Sequence, residues 1–260
     1  MTIKPLAVVS AFLLLSTCAP SVTAPPRPPL TPTDIQAAVG AISSQDKTTR
    51  TLFSMGHIHV NGRQGELEAN LVIAAAKNPD RIKIEITHPW GRPLVHILMD
   101  TSGLRVLSFT EKRLYMGQPG DPVLPGVLDI PVKREVLWSI IRAYPVLPPY
   151  HQVVSEAGSR LVFLTREGEK AAVMHMDPEG FIPQSIIFPA QETGVVYKDF
   201  QTEKETIFAR ETVVGDKEGN TLTIDLKAMA FNEPIPKAIF TLRVPADFTK
   251  MRFSDERKVP

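Results

Sequence analysis

One residue of the 260 is cysteine. An internal disulfide is therefore impossible, and Cys18 is free, joined to another molecule or modified. Charge of either sign is not in excess: 29 basic residues face 28 acidic ones, and no Lys/Arg block stands out. A nucleic-acid surface has no electrostatic footprint here. No stretch reaches the ~20 apolar residues of a membrane-spanning helix. The GxSxG elbow, the P-loop, the GxGxxG fingerprint and the HExxH pair are all absent, so acyl transfer, phosphate cradling, dinucleotide binding and zinc-protease chemistry lack their signatures. The expectation is a binding protein, not an enzyme, with no cofactor, no metal and no nucleic-acid partner.

The first residues, MTIKPLAVVSAFLLLSTCAP, put Lys4 before a short apolar run and a small-residue stretch. That is the layout of a secretory signal peptide, here assigned to residues 1–17. Loss of Lys4 with it leaves 28 charges of each sign. Residues 18–32 then carry APPRPPLTP, without apolar periodicity. In polyproline form, at ~3.1 Å per residue, such a tether would hold a domain roughly 40 Å from its attachment. Residues 33–260 suit one domain with a sizeable core.

Within TDIQAAVGAISSQ, Ile35, Ala38, Val39 and Ile42 recur at helical spacing, with Thr33 or Asp34 available as cap. The period then changes to two. Leu67, Ala69, Leu71 and Ile73 share a face, as do Ile82, Ile84 and Ile86 against Arg81, Lys83 and Glu85, and Val95, Ile97 and Met99 beyond them. Short turns between these runs make an antiparallel meander. A proline-broken loop interrupts the series and leads into PVKREVLWSIIRAYPV, where Val132, Val136, Leu137, Ile140, Ile141 and Tyr144 form one helical stripe. Strand patterns resume with RLVFLTR and AAVMHM and end with TLTIDLKAMAF and KAIFTLRV. The count is eleven or twelve strands, antiparallel throughout, and two or three helices. The predicted fold is mainly β (α+β): one strongly curved antiparallel sheet forming an open half-barrel, with the helices as lid or plug.

Few side chains suggest chemistry. His57 and His59 lie on one side of a strand, but nothing nearby completes a ligand set. His96 and His175 read as packed or edge residues. The carboxylates are scattered over strand faces and turns. The oddity is THPWGRP, residues 87–93, which puts Trp90 between Pro89 and Gly91 at a hairpin tip, near His88. Such a ring either projects outward or folds back to cap the core.

LSTC resembles the lipobox of bacterial lipoproteins, whose cysteine is acylated, and Ala19 after it resembles an outer-membrane address. NPDRIKIEITHPWGRPLVHILMDTSGLRVL, with the tail NEPIPKAIFTLRVPADF, resembles the LolA/LolB family of lipoprotein-localisation proteins over about residues 34–248. The resemblance implies a half-barrel whose hydrophobic cavity holds acyl chains of lipoproteins or other lipids. It also implies a periplasmic LolA-like carrier as partner, and lipid anchoring through Cys18 at the outer membrane, facing the periplasm. Cavity lining is expected from Leu67, Leu71, Ile82, Ile84, Ile86, Val95, Ile97 and Met99. Pro89, Trp90 and Gly91 would form the membrane-contacting loop. The alternative is a lipid- or glycolipid-binding envelope module, or a structural lipoprotein, without insertion activity.

Overall fold

The computed structural model describes residues 28–62, 65–118, 134–156, 159–177 and 182–253. Cys18, the signal segment and most of the tether lie outside the described residues, as do the proline-broken loop and Val132.

The first helix, α1, spans Pro32–Thr48. Its cap is Thr31, two residues before Thr33 and three before Asp34. The Thr31 hydroxyl accepts from the Asp34 amide at 3.2 Å, while the Asp34 carboxylate accepts from the Thr31 amide at 3.3 Å. Pro32, at the first helical position, needs no amide partner, so the reciprocal box sets the helix start.

Two meanders follow. The first comprises β1 (Thr51–Gly62), β2 (Gly65–Lys77), β3 (Asp80–Thr87), β4 (Pro93–Asp100), β5 (Gly103–Ser108) and β6 (Arg113–Gly117). After the second helix, α2 (Arg134–Ile141), come β7 (Gln152–Glu156), β8 (Arg160–Leu164), β9 (Lys170–Met176), β10 (Pro183–Phe188), β11 (Thr193–Glu203), β12 (Thr206–Asp216) and β13 (Thr221–Phe231). β13 pairs with β1 from Leu52↔Phe231 to Asn61↔Thr221, fusing the meanders into one sheet. With β14 (Thr249–Arg252) the sheet has 14 strands, in the order β14-β6-β5-β4-β3-β2-β1-β13-β12-β11-β10-β9-β8-β7. Its two edges do not meet, so the structure is the open, mainly β half-barrel that the alternation predicts.

Three expectations are corrected. β14 runs parallel to β6, so the sheet is not antiparallel throughout. KAIFTLRV is no strand: Lys237–Phe240 form a 3-10 helix, and the chain from there to Thr249 has no regular structure. This segment crosses the outer face of the first meander. Phe240 lies under the Arg81 guanidinium of β3, and Phe248 meets Phe109 beyond β5 with ring centroids 5.5 Å apart. Its apolar side chains thus cover the outer side of the sheet, where Leu98 and Leu107 are buried. Finally, α2 stops at Ile141, because Ala143 adopts a left-handed backbone with φ 52. Tyr144 lies beyond the helix end, buried but off its last turn.

Gly56 marks a bulge in β1. A Cβ there would stand 2.2 Å from the Asp225 carbonyl oxygen, a distance only glycine permits.

Candidate functional site

Under α2, the inner face of β1–β4 and β13 is apolar. Leu71, Ile84, Ile86 and Ile97 project inward from the first meander, beside Ile58 of β1 and Leu222 and Ile224 of β13. These are β-branched and leucine side chains on a pleated, half-buried surface, the environment such residues favour. α2 packs into the concavity, laying Leu137, Ile140 and Ile141 against the isoleucines. A gap of about 40 Å³ remains between helix and sheet, lined only by apolar groups. That is room for little more than one water-sized volume, and ligand pockets run to hundreds of Å³. The site is therefore occupied by its own helix. A hydrocarbon chain could use this face only in place of α2.

Polar contacts add to this packing at the C-terminal end of α2. Arg142 is fully buried. Its Nε donates to the Thr49 hydroxyl at 3.1 Å, and Nη2 donates to the Gln45 carbonyl at 2.9 Å and to Gln45 Oε1 at 3.2 Å. The guanidinium also stands over the Tyr144 ring at 4.8 Å and the Phe231 ring at 5.9 Å. Nη1 has no hydrogen-bond partner. Burial pushes the Arg142 pKa down to about 10, and the nearby tyrosines and Asp46 oppose that shift, so the side chain stays charged at neutral pH. No carboxylate bonds it. The negative end of α1 and two aromatic faces compensate the charge instead. Lys77 Nζ donates to the Asp46 carbonyl at 2.6 Å and lies 5.5 Å from the buried Trp138 ring of α2. Gln45 extends the link by accepting from the Ile207 amide at 3.0 Å. α1, α2 and both meanders thus meet at one junction.

Of the residues expected to line a cavity, Leu71, Ile84, Ile86 and Ile97 surround the gap. Ile82, Val95 and Met99 are buried on the same face beside it, and Leu67 is only partly buried near the start of β2. Sequence reasoning missed Ile58, Ile73, Leu222 and Ile224. Ile73 shared the face of Leu71, a signal strong enough to include it. For Ile58 and the β13 residues the missing information was the β1–β13 pairing, which spans the whole domain.

Trp90 lies at the tip of the β3–β4 hairpin and is 88% exposed, the most exposed large apolar side chain among the described residues. The His88 carbonyl accepts from the Gly91 amide at 2.7 Å, and the His88 amide donates to the Arg92 carbonyl at 2.8 Å. Pro89 fixes one torsion of this turn, while Gly91 takes a left-handed φ of 83. The His88 ring stacks on the indole with centroids 6.2 Å apart, and its Nδ1 accepts from the Trp90 amide at 3.3 Å. The turn is internally bonded and the indole points away from the core. His57 and His59 face outward on β1, His59 4.0 Å from Glu66. No metal-ligating group of three or more forms among the described residues.

An open trough of about 640 Å³ outside the barrel, between α1 and β7, is larger than the inner gap. Gln36, Ser43, Ser44 and Lys47 share its lining with Ile35 and Val39. Open to water and lined by polar and apolar groups alike, it suits hydrocarbon less well than the concave face does.

No family model matches the sequence, and no curated protein matches it. Solved structures do match. A candidate outer membrane lipoprotein-sorting domain from Vibrio parahaemolyticus superposes with a TM-score of 0.53 at 10% identity, covering 78% of this chain and 94% of the other. A LolA superfamily protein from Nitrosomonas europaea gives 0.51 at 15% identity, over 79% and 97% of the two chains. The fold is LolA/LolB-like. A DUF1329 family protein from Desulfovibrio piger, at 0.54 and 11% identity over 80% and 97%, has the same architecture. At such identities the likeness is one of fold, and the α2 plug and the Trp90 finger are read from this chain's own residues within that LolA/LolB-like frame.

Proposed function

We propose that this protein is an outer-membrane lipoprotein, anchored through Cys18 and facing the periplasm. It receives acyl chains of other lipoproteins from a periplasmic LolA-like carrier and helps insert them into the membrane. The observation that carries the reading is the concave face, where a short helix packs over a gap lined only by apolar side chains. Displacing α2 exposes Leu71, Ile84, Ile86 and Ile97 together, a surface that suits uncharged hydrocarbon and offers a head group nothing to bond. Trp90 supplies the second element. Burying one large side chain is worth about 1.5–3 kcal/mol, enough for contact and release but not for anchoring. Anchoring falls to the acyl chain on Cys18, at about 0.8 kcal/mol per buried methylene.

Trp90→Glu tests the finger. The side chain packs against little beyond His88, so the variant should unfold within about 0.5 kcal/mol of the parent. Transfer of a lipoprotein from a carrier to membranes should fail. A variant that transfers normally refutes the membrane-contact role. If lipid co-purifies with the chain while lipoprotein sorting proceeds without it, the protein is a lipid- or glycolipid-binding envelope module instead.

A further inference from the structure

The strand directions bring the turns at residues 88–92, 109–112, 189–192 and 217–220 to one end of the sheet, with the start of β14 beside them. Charge is unevenly divided over that end. At the Trp90 corner, Arg92, Lys112, Arg113 and Lys250 face Glu111 and Asp247, a net of two positive charges. Lys112 pairs with Asp247 at 3.0 Å, and Arg92, Arg113 and Lys250 are exposed. At the β10–β13 corner, Glu192, Asp216 and Glu218 outweigh Lys217, which pairs with Glu192, leaving a net of two negative charges. The β8–β9 turn carries Arg166 and Lys170 against Glu167 and Glu169 and is neutral. With strands about 4.8 Å apart, Arg92 and Lys250 lie three strands, or roughly 15 Å, from one another. Among these three corners, the one with a cationic excess is the one that carries the exposed indole.

We infer that the surface met by the Trp90 corner is a bilayer bearing anionic phospholipid head groups. The domain tilts so that the β3–β6 corner faces the lipid and the acidic β10–β13 corner turns away. The inference rests on the membrane-contact reading of Trp90 and adds to it the lipid class and the orientation. Head-group attraction and indole burial act together here: the field draws the corner in, and the ring enters once it arrives.

The test uses the mature chain with Cys18→Ser, which has no acyl anchor, and sedimentation with vesicles of phosphatidylcholine alone or with added phosphatidylglycerol. Added phosphatidylglycerol should strengthen binding, and salt should weaken it. Arg92→Gln with Lys250→Gln should reduce binding to the anionic vesicles by about 25-fold, roughly fivefold for each charge removed. Binding to phosphatidylcholine should stay unchanged. Glu192→Gln with Glu218→Gln, at the opposite corner, should cause no loss. Thermal unfolding confirms that each variant is folded, since all four positions are exposed. Equal binding to both vesicles, or no effect of the paired glutamines while Trp90→Ala still weakens binding, overturns the lipid class and leaves the finger standing. If Trp90→Ala also changes nothing on either vesicle, membrane contact itself is refuted.

Discussion

Ile140→Ala should weaken the protein and improve its capacity to bind lipid at the same time. Ile140 is 4% exposed and borders the apolar gap under α2. Truncation removes three carbon groups from contact, about 2.4 kcal/mol at 0.8 kcal/mol each. The void they leave joins a gap already about 40 Å³ in size. At about 24 cal/mol per Å³, even a comparable added volume costs about 1 kcal/mol. The sum, about 3 kcal/mol, falls on the plugged state alone, because Ile140 makes none of these contacts once the helix has lifted away. If a ligand must wait for α2 to leave, its apparent affinity scales with the fraction of molecules that are open. A penalty of about 3 kcal/mol on the closed form then raises affinity by up to about 100-fold. Urea unfolding measures the first quantity, and titration with a fluorescent fatty-acid analogue measures the second. A variant that loses the stability but binds the probe no better refutes the plug, since the lipid would then be using some other surface. A variant that loses less than about 1 kcal/mol refutes the packing described for α2.

Other perturbations have equally definite outcomes. Burial holds the His96 imidazole below its ordinary pKa, with Glu85 opposing the shift and Lys83 adding to it. The unfolded chain therefore binds the proton more readily, so stability is full above about pH 6.5 and falls as pH drops through the lowered folded value. His96→Gln should flatten that acid limb of urea unfolding, and an unchanged limb would place the titration elsewhere. Gly56→Ala forces a Cβ onto the Asp225 carbonyl. The β1–β13 junction should lose about 3 kcal/mol, the upper end of overpacking costs, read as a lower unfolding midpoint.

The two meanders were legible because their strands alternate cleanly and their turns are short. Ile82, Ile84 and Ile86 could be assigned to one face from the residues alone. Two strands escaped notice for want of length or contrast: β7, reading QVVSE, and β14, reading TKMR, are edge strands with little to bury. KAIFTLRV misled for the opposite reason. Its alternation is real, but Pro234, Pro236 and Pro245 flank it, and its apolar side chains cover an existing sheet rather than extend one. The helical stripe of α2 was visible and its purpose was not, since a plug and an ordinary core helix have the same periodicity. Arg142 gave no warning, because a lone arginine at the end of an amphipathic helix normally reaches water. Its burial follows from where α1 ends, a long-range fact that no local pattern contains. Trp90 posed a question that only the exposed turn could answer.

The seam between β1 and β13 has a consequence for how the protein is made. It unites strands about 170 residues apart, the first and the last long strands to be synthesised. Either meander can form from neighbouring hairpins as it emerges, but the concave wall is incomplete until residue 231 has been added. Throughout that interval Ile58 and its neighbours have no partner in β13, and α2 has only part of its seat. Such late, long-range closure is slow and exposes apolar surface to its surroundings. A newly made molecule therefore presents, for a time and without any ligand, the same face that it later covers with its own helix. Chaperones that shield apolar strands would find their substrate there.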